Sequence, residues 1–144
     1  MAKGYSALRK GRVSVAGTLY MVTTVTRQRM KHFENFSNAR LLIETIRRES
    51  ELNGIVTWAF VVMPDHLHWL LQLNHEPLET VVGRVKAVTS KRIGLALWQS
   101  GFYDQALRQS ESPKNLARYI VANPLRAHLV QSIGDYPHWD VAWL

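Results

Sequence analysis

Hydrophobic positions along the chain fall into segments with either a two-residue or a helical period. β-branched and aromatic residues predict strands at 18–27, 55–63, 66–73 and 102–107. Apolar residues at three- and four-residue spacing predict helices at 38–52, 78 to about 98, and 113–123. The order β-α-β-β-α-β-α predicts an α+β protein with a ferredoxin-like antiparallel sheet and helices.

Several residues indicate where these elements begin and end. Ser37 is a candidate N-cap for the first helix. Residues 64–65, Pro-Asp, predict a turn that joins the second and third strands into a hairpin. Pro124 is expected to end the last helix at Asn123. The aromatic tail, residues 135–144, is expected to pack back on the body of the protein.

Length and composition narrow the class of protein. The 144 residues suffice for one domain with a hydrophobic core, so we expect a single domain over 1–144. We expect no membrane span, because no apolar run reaches about 18 residues. The chain has no cysteine, which excludes disulfides and thiolate chemistry. Because no signal peptide is visible at the N-terminus, a cytoplasmic location is expected.

The charge is strongly positive. Eighteen Lys and Arg against eleven Asp and Glu give a net charge of +7. A basic surface attracts polyanions such as nucleic acids, largely through the release of counterions. Basic proteins with other roles are common, so charge alone leaves the partner open.

His66 and His68 are separated by one apolar residue, Leu67, in a predicted strand. Because side chains alternate across a strand, both imidazoles should point to one face and Leu67 to the core. Their Cα atoms then lie roughly 6.5–7 Å apart, a span at which two imidazoles can bind one cation. Two ordinary surface histidines would give the same pattern. Without cysteine, the ligands leave Mg²⁺, Mn²⁺ or another divalent ion open, zinc included.

Tyr119 and Asn123 are four residues apart in the predicted last helix. Residues at this spacing lie on one helix face, with Cβ atoms about 5–6 Å apart. An amide oxygen would therefore lie one turn after a phenol. The alternative is that Tyr119 only packs and Asn123 only ends the helix.

Together these residues suggest a phosphodiester reaction. A metal on His66, His68 and Asn123 would act as a Lewis acid on a phosphate oxygen, and Tyr119 would attack the phosphorus. A phenol has a pKa of about 10, so it needs a nearby positive charge or a base to ionise. The product would be a phosphotyrosine link that preserves bond energy for rejoining.

Long stretches of the chain resemble the IS200-type tyrosine transposases, in particular the branch associated with repetitive extragenic palindromes (REPs) in bacteria. The matching stretches are VVMPDHLHWLLQ (61–72), LWQSGFYDQALR (97–108) and RYIVANPLRAHLV (118–130), with looser similarity at 20–33 and 134–143. They occur in the same order as in the family. One departure is His128, where a glycine is expected.

The resemblance implies a ferredoxin-like fold with a divalent metal on His66 and His68, the family's His-hydrophobe-His motif. It implies that Tyr119 is the catalytic nucleophile, forming a 5′-phosphotyrosine and leaving a free 3′-OH. Asn123 matches the family's third metal ligand. The implied substrate is single-stranded DNA folded as an imperfect hairpin beside a short guide sequence.

Four cationic residues are candidate phosphate contacts: Arg84, Lys86, Arg108 and Arg126. Arg84 and Lys86 would equally suit a solvated helix face. Three aromatic residues, Trp98, Phe102 and Tyr103, would either stack on unpaired bases or belong to the core.

Two alternatives to the transposase remain open at this point. One is a domesticated relative that binds hairpin DNA or RNA without cutting it. The other is a two-histidine phosphodiesterase acting on small nucleotides, which would need no tyrosine nucleophile. A monomer is favoured, although some IS200-type relatives are dimers with sites completed in trans.

Overall fold

The computed structural model describes residues 16–108 and 110–142. The strands are β1 (Leu19–Val25), β2 (Val56–Met63), β3 (His66–Gln72), β4 (Tyr103–Ala106) and β5 (Trp139–Val141). The helices are α1 (Phe36–Asn53), α2 (Leu78–Ile93), α3 (Pro113–Val121) and α4 (Asn123–Arg126). Within the described residues, no helix is both long and apolar enough to cross a membrane.

The strands form one sheet in the order β4-β1-β3-β2-β5. Every neighbouring pair is antiparallel. Since β1 and β2 each run antiparallel to β3, they are parallel to one another with β3 between them, which is the split βαβ arrangement. The predicted ferredoxin-like α+β fold is confirmed, and β5 adds a strand at the β2 edge.

The sheet buries a different set of residues on each face. Leu67, Trp69 and Leu71 of β3 belong to the larger hydrophobic core, which includes residues of α1 and α2. Leu70 belongs to a smaller core that also contains Ala117 and Ile120 of α3. The alternation along β3 therefore assigns His66 and His68 to the face that α3 covers.

The first two helices differ from the prediction at their ends. Asn35, and not Ser37, caps α1, because its side chain accepts a hydrogen bond from the backbone N–H of Asn38. Helix α2 ends at Ile93, about five residues earlier than expected. Gly94 adopts a left-handed conformation with φ 91°, which a residue with a side chain rarely adopts, and so terminates the helix.

The last predicted helix is in fact two short helices. Helix α3 ends at Val121, and α4 begins at Asn123. Pro124 explains the break, because it has no N–H to continue the hydrogen bonds of α3. Ser112 caps the start of α3, with its side chain accepting from the N–H of Asn115.

The C-terminal tail packs on the body as expected, as far as the described residue 142. Its pairing as strand β5 with β2 was not predicted. The Tyr136 hydroxyl donates a hydrogen bond of 2.6 Å to the backbone oxygen of Val62. Burial raises the pKa of Tyr136 to about 12, so this tyrosine has a structural position and stays protonated.

Candidate active site

The two histidines lie side by side on the sheet. Their ring centroids are 4.8 Å apart, and the ring planes are nearly perpendicular at 82°. Leu67 between them is 1% exposed in the opposite core. The predicted facing of all three residues is therefore confirmed.

Each imidazole uses its Nδ1 atom in a hydrogen bond within the protein. His66 Nδ1 lies 2.7 Å from Asp65 Oδ1. His68 Nδ1 lies 2.9 Å from the hydroxyl oxygen of Thr23, its partner across β1. Metal-bound histidines usually donate one ring N–H to such a partner and coordinate through the other nitrogen. The Nε2 atoms of His66 and His68 are thus the nitrogens left for a ligand.

Electrostatics keeps the second imidazole neutral. Burial, followed by the nearby charges of His66 and Arg126, lowers the pKa of His68 to about 3. A neutral imidazole is the form that binds metal. Partial burial raises the pKa of Asp65, but the hydrogen bond from His66 and the charges of His66 and Arg29 hold it below its usual value.

Tyr119 lies on α3, the helix that packs against the same face of the sheet. Its neighbour Ile120 is buried in the small core with Val61 and Met63, which stand opposite His68 and His66 in the β2–β3 register. Tyr119 itself is 62% exposed, so its ring does not serve the core.

Arg126 connects the tyrosine with the histidines. Its guanidinium carbon lies 3.8 Å from the centroid of the Tyr119 ring, a cation–π contact. Its charge also contributes to the lowered pKa of His68. Arg126 therefore contacts the tyrosine and acts electrostatically on one of the two histidines.

Asn123 begins α4 and is half-buried. It follows Tyr119 by four residues, as predicted, but across the break between two helices. Within the described part of the chain, no three His, Cys, Asp or Glu side chains form a group that could hold a metal ion. The predicted third ligand, the amide oxygen of Asn123, is of another type, and its role stays a prediction.

Arg84 and Lys86 lie on α2, on the far face of the sheet. Arg84 binds the carboxylates of Glu49 and Glu76 at 2.6 and 2.7 Å, and these bonds raise its pKa. Lys86 donates to the backbone oxygens of Gln99 and Gly101 at 3.0 and 2.6 Å, and burial lowers its pKa to about 8. The structure does not bring either residue to the histidines, and their predicted DNA contacts stay untested.

The remaining candidates are divided between surface and core. Arg108 is exposed in the segment after β4. Trp98 and Phe102 are buried in the larger core, which favours the packing interpretation over base stacking, whereas Tyr103 is half-buried.

The sequence did not predict the two residues that lie within hydrogen-bond distance of the histidines, Thr23 and Asp65. Asp65 precedes His66 directly, and its carboxylate beside a candidate ligand was an available signal. Thr23 carried no such signal, because only the register of β1 against β3 places it opposite His68.

Comparison with known proteins shows the family to which this chain belongs. A profile of the family described as "Transposase IS200 like" matches residues 14–123, which include all four predicted nucleophile and metal positions. The chain belongs to this family. A "REP-associated tyrosine transposase" of Escherichia coli (strain K12) is 30% identical over 91 residues, covering 58% of this chain and 55% of that protein. The chain thus matches about half the length of that relative.

The fold also matches that of a solved structure. A structure described as a REP-associated tyrosine transposase bound to a REP hairpin superposes with a TM-score of 0.78 and 22% identity, covering 89% of this chain and 79% of the other. This likeness agrees with the ferredoxin-like sheet described above.

Proposed function

We propose that this IS200-like transposase binds single-stranded hairpin DNA, of the REP type, and cleaves and rejoins it through Tyr119. The E. coli relative is named for REP association, and the structural neighbour is bound to a REP hairpin. The net charge of +7 suits a phosphate-rich partner.

One observation carries the proposal. Two imidazoles with occupied Nδ1 atoms lie on the sheet face that α3 covers, and α3 presents an exposed tyrosine under a cation that also acts on His68. A non-cleaving binding module needs neither the imidazole pair nor the exposed phenol. Since one chain supplies all of these groups, we propose that the monomer is sufficient.

The proposed reaction is a transesterification. The Tyr119 oxygen bonds to the phosphorus, the bond from phosphorus to the 3′ oxygen breaks, and the 3′ oxygen leaves as a hydroxyl after gaining a proton. The products are a 5′-phosphotyrosine and a free 3′-OH, and the reverse step rejoins the strand.

The residues around Tyr119 have separate parts in this step. His66 and His68, with Asn123 as third ligand, would hold Mg²⁺ or Mn²⁺, which supplies Lewis-acid polarisation of a phosphate oxygen. Arg126 places positive charge beside the ring, where negative charge develops as the phenol loses its proton. Arg126 and the exposed Arg108 are proposed phosphate contacts.

A covalent adduct tests the proposal. Labelled REP-like hairpins with single-stranded flanks are incubated with the protein and Mn²⁺, and adducts are resolved on a denaturing gel. We expect an adduct and a free 3′-OH fragment, a loss of at least roughly 10³-fold in cleavage for Tyr119→Phe, and unchanged hairpin binding. Tyr136→Phe is the matched control, because it removes a hydroxyl bonded to backbone and should keep the adduct.

Two other outcomes would contradict the proposal. Tight hairpin binding without any adduct would assign the protein to the non-cleaving binders. Hydrolysis of small nucleotides that persists in Tyr119→Phe would indicate a two-histidine phosphodiesterase.

A further inference from the structure

The turn after β1 contains two strained residues in succession. Gln28 and Arg29 have φ angles of 55° and 53°. Residues with a Cβ rarely adopt this left-handed conformation, because it brings the Cβ too close to the following carbonyl oxygen. Such strain persists only where surrounding contacts hold the backbone, and it is found preferentially at functional sites.

Thr26 provides the contacts that hold this turn. Its hydroxyl donates to the backbone oxygen of Met30 at 2.7 Å and lies 3.1 Å from the backbone oxygen of Asp65. Its backbone N–H donates to the same Asp65 oxygen at 2.9 Å. The strained turn is therefore attached to the β2–β3 turn, directly before the histidines.

The result of this geometry is a chain of contacts from the strained turn to His66. Arg29 Nε donates to Asp65 Oδ2 at 3.0 Å. The other carboxylate oxygen, Oδ1, lies 2.7 Å from His66 Nδ1. One carboxylate thus has each of its oxygens occupied by a different partner, which fixes its orientation.

We infer that Asp65 is a positioning residue for the metal site and that the strained turn serves to deliver Arg29 to it. This inference rests on the proposed metal site at His66 and His68. A carboxylate that accepts from Nδ1–H fixes the tautomer with the lone pair on Nε2 and prevents rotation of the ring. Arg29 in turn prevents Asp65 from rotating away.

The two histidines are supported unequally. The hydroxyl of Thr23 beside His68 can donate or accept, so it does not select one tautomer of the ring. The carboxylate of Asp65 can only accept when ionised, so it does select one for His66. Loss of Asp65 should therefore weaken metal binding more than Thr23→Val does.

Direct Mn²⁺ binding tests the inference without DNA or activity. The aqueous Mn²⁺ resonance signal is titrated with the full-length protein, and its loss reports binding. We expect Asp65→Ala to weaken Mn²⁺ affinity about 10–100-fold, the range for lost outer partners of metal ligands. Asp65→Asn should lose less, because its amide oxygen can still accept from His66. Arg29→Ala should weaken affinity by less than Asp65→Ala, and Arg27→Ala, in the same turn, should not change it.

A double substitution separates positioning from a general structural effect. In a His66→Ala background, Asp65→Ala should have no further effect on Mn²⁺ affinity, because its only route to the metal is gone. A further loss of the same size in that background would overturn the inference.

The outcomes also separate this inference from the proposed function. If the wild-type protein binds Mn²⁺ and both Asp65→Ala and Arg29→Ala bind it equally well, the positioning role is wrong and the metal site stands. If the wild-type protein binds no Mn²⁺, the metal site and this inference fall together. Should Asp65→Ala not fold, Arg29→Ala decides alone, since it removes only a side chain that is 60% exposed.

Discussion

The two faces of the sheet differ in the roles of their apolar and charged side chains. On the α1–α2 face, large apolar side chains such as Trp69 and Leu67 are completely buried. Two cations of α2 have partners within the protein: Arg84 binds two carboxylates, and Lys86 binds two backbone oxygens.

On the α3 face the core is small, and polar groups lie beside it. Ala117 and Ile120 of α3 belong to this small core, while His66 and His68 lie on the same face of the sheet and Tyr119 is exposed on α3. Arg126 lies over the Tyr119 ring and is exposed. The larger core on the α1–α2 face therefore supplies most of the apolar stabilisation. The α3 face can in turn present the two imidazoles and the phenol to a ligand.

The largest effects are expected from substitutions of two adjacent residues of β3. Leu67→Ala should lower the free energy of unfolding by about 2–5 kcal/mol, because it opens a cavity in the larger core. His68→Ala should lower it by about 1 kcal/mol or less, the value of one hydrogen bond, yet abolish metal-dependent cleavage. Urea denaturation and cleavage assays measure both. A harmless Leu67→Ala together with an unfolded His68→Ala would mean that the two faces are reversed.

The cations provide the second test. Arg84→Ala should cost about 2 kcal/mol of stability, less than the 3–5 kcal/mol of a fully buried pair, because Arg84 is partly exposed and Glu49, which loses its cationic partner, keeps the hydrogen bond from Asn53. Hairpin affinity, measured by fluorescence anisotropy, should not change. Arg92→Ala is the control, since its pair with Glu44 is exposed and long at 3.4 Å. Weakened hairpin binding by a stable Arg84→Ala would identify Arg84 as a DNA contact.

Asn123 provides a third and smaller effect, confined to the α3 face. Asn123→Ala should raise the metal concentration for half-maximal cleavage by about tenfold, and excess Mn²⁺ should partly restore activity. Asn123→Asp should keep activity, because a carboxylate supplies an oxygen at the same place. Titration of metal against cleavage for both variants measures this. An unchanged midpoint in Asn123→Ala would remove Asn123 from the site.

The smallest effect concerns His128, the position where the family resemblance leads one to expect glycine. His128 has a φ of 60°, which explains the expectation, because glycine adopts this conformation without strain. His128→Gly should therefore raise the free energy of unfolding by about 1 kcal/mol and leave cleavage unchanged. His128→Ala, which keeps the Cβ, should give no such gain. Equal stability of the Gly and Ala variants would show that the strain is negligible.

The sequence by itself determined the element order as far as the last predicted helix, the fold class and the facing of His66, Leu67 and His68. These follow from the period of a strand or a helix, which is a property of the local backbone and needs no knowledge of distant residues. The end of the helix near Asn123 could also be predicted from the sequence, because the effect of Pro124 is local. The new helix that begins there could not.

Tertiary structure alone decided which charged residues support the fold and which face the site. Arg84 was a candidate phosphate contact from the sequence, and only the packing of α1 against α2 brings Glu49, 35 residues away, to its guanidinium. Arg29 and Asp65 are 36 residues apart and meet only because the turn after β1 is attached to the β2–β3 turn. Strand β5 forms because the edge of β2 has backbone groups to pair, a condition that exists only once the sheet is assembled.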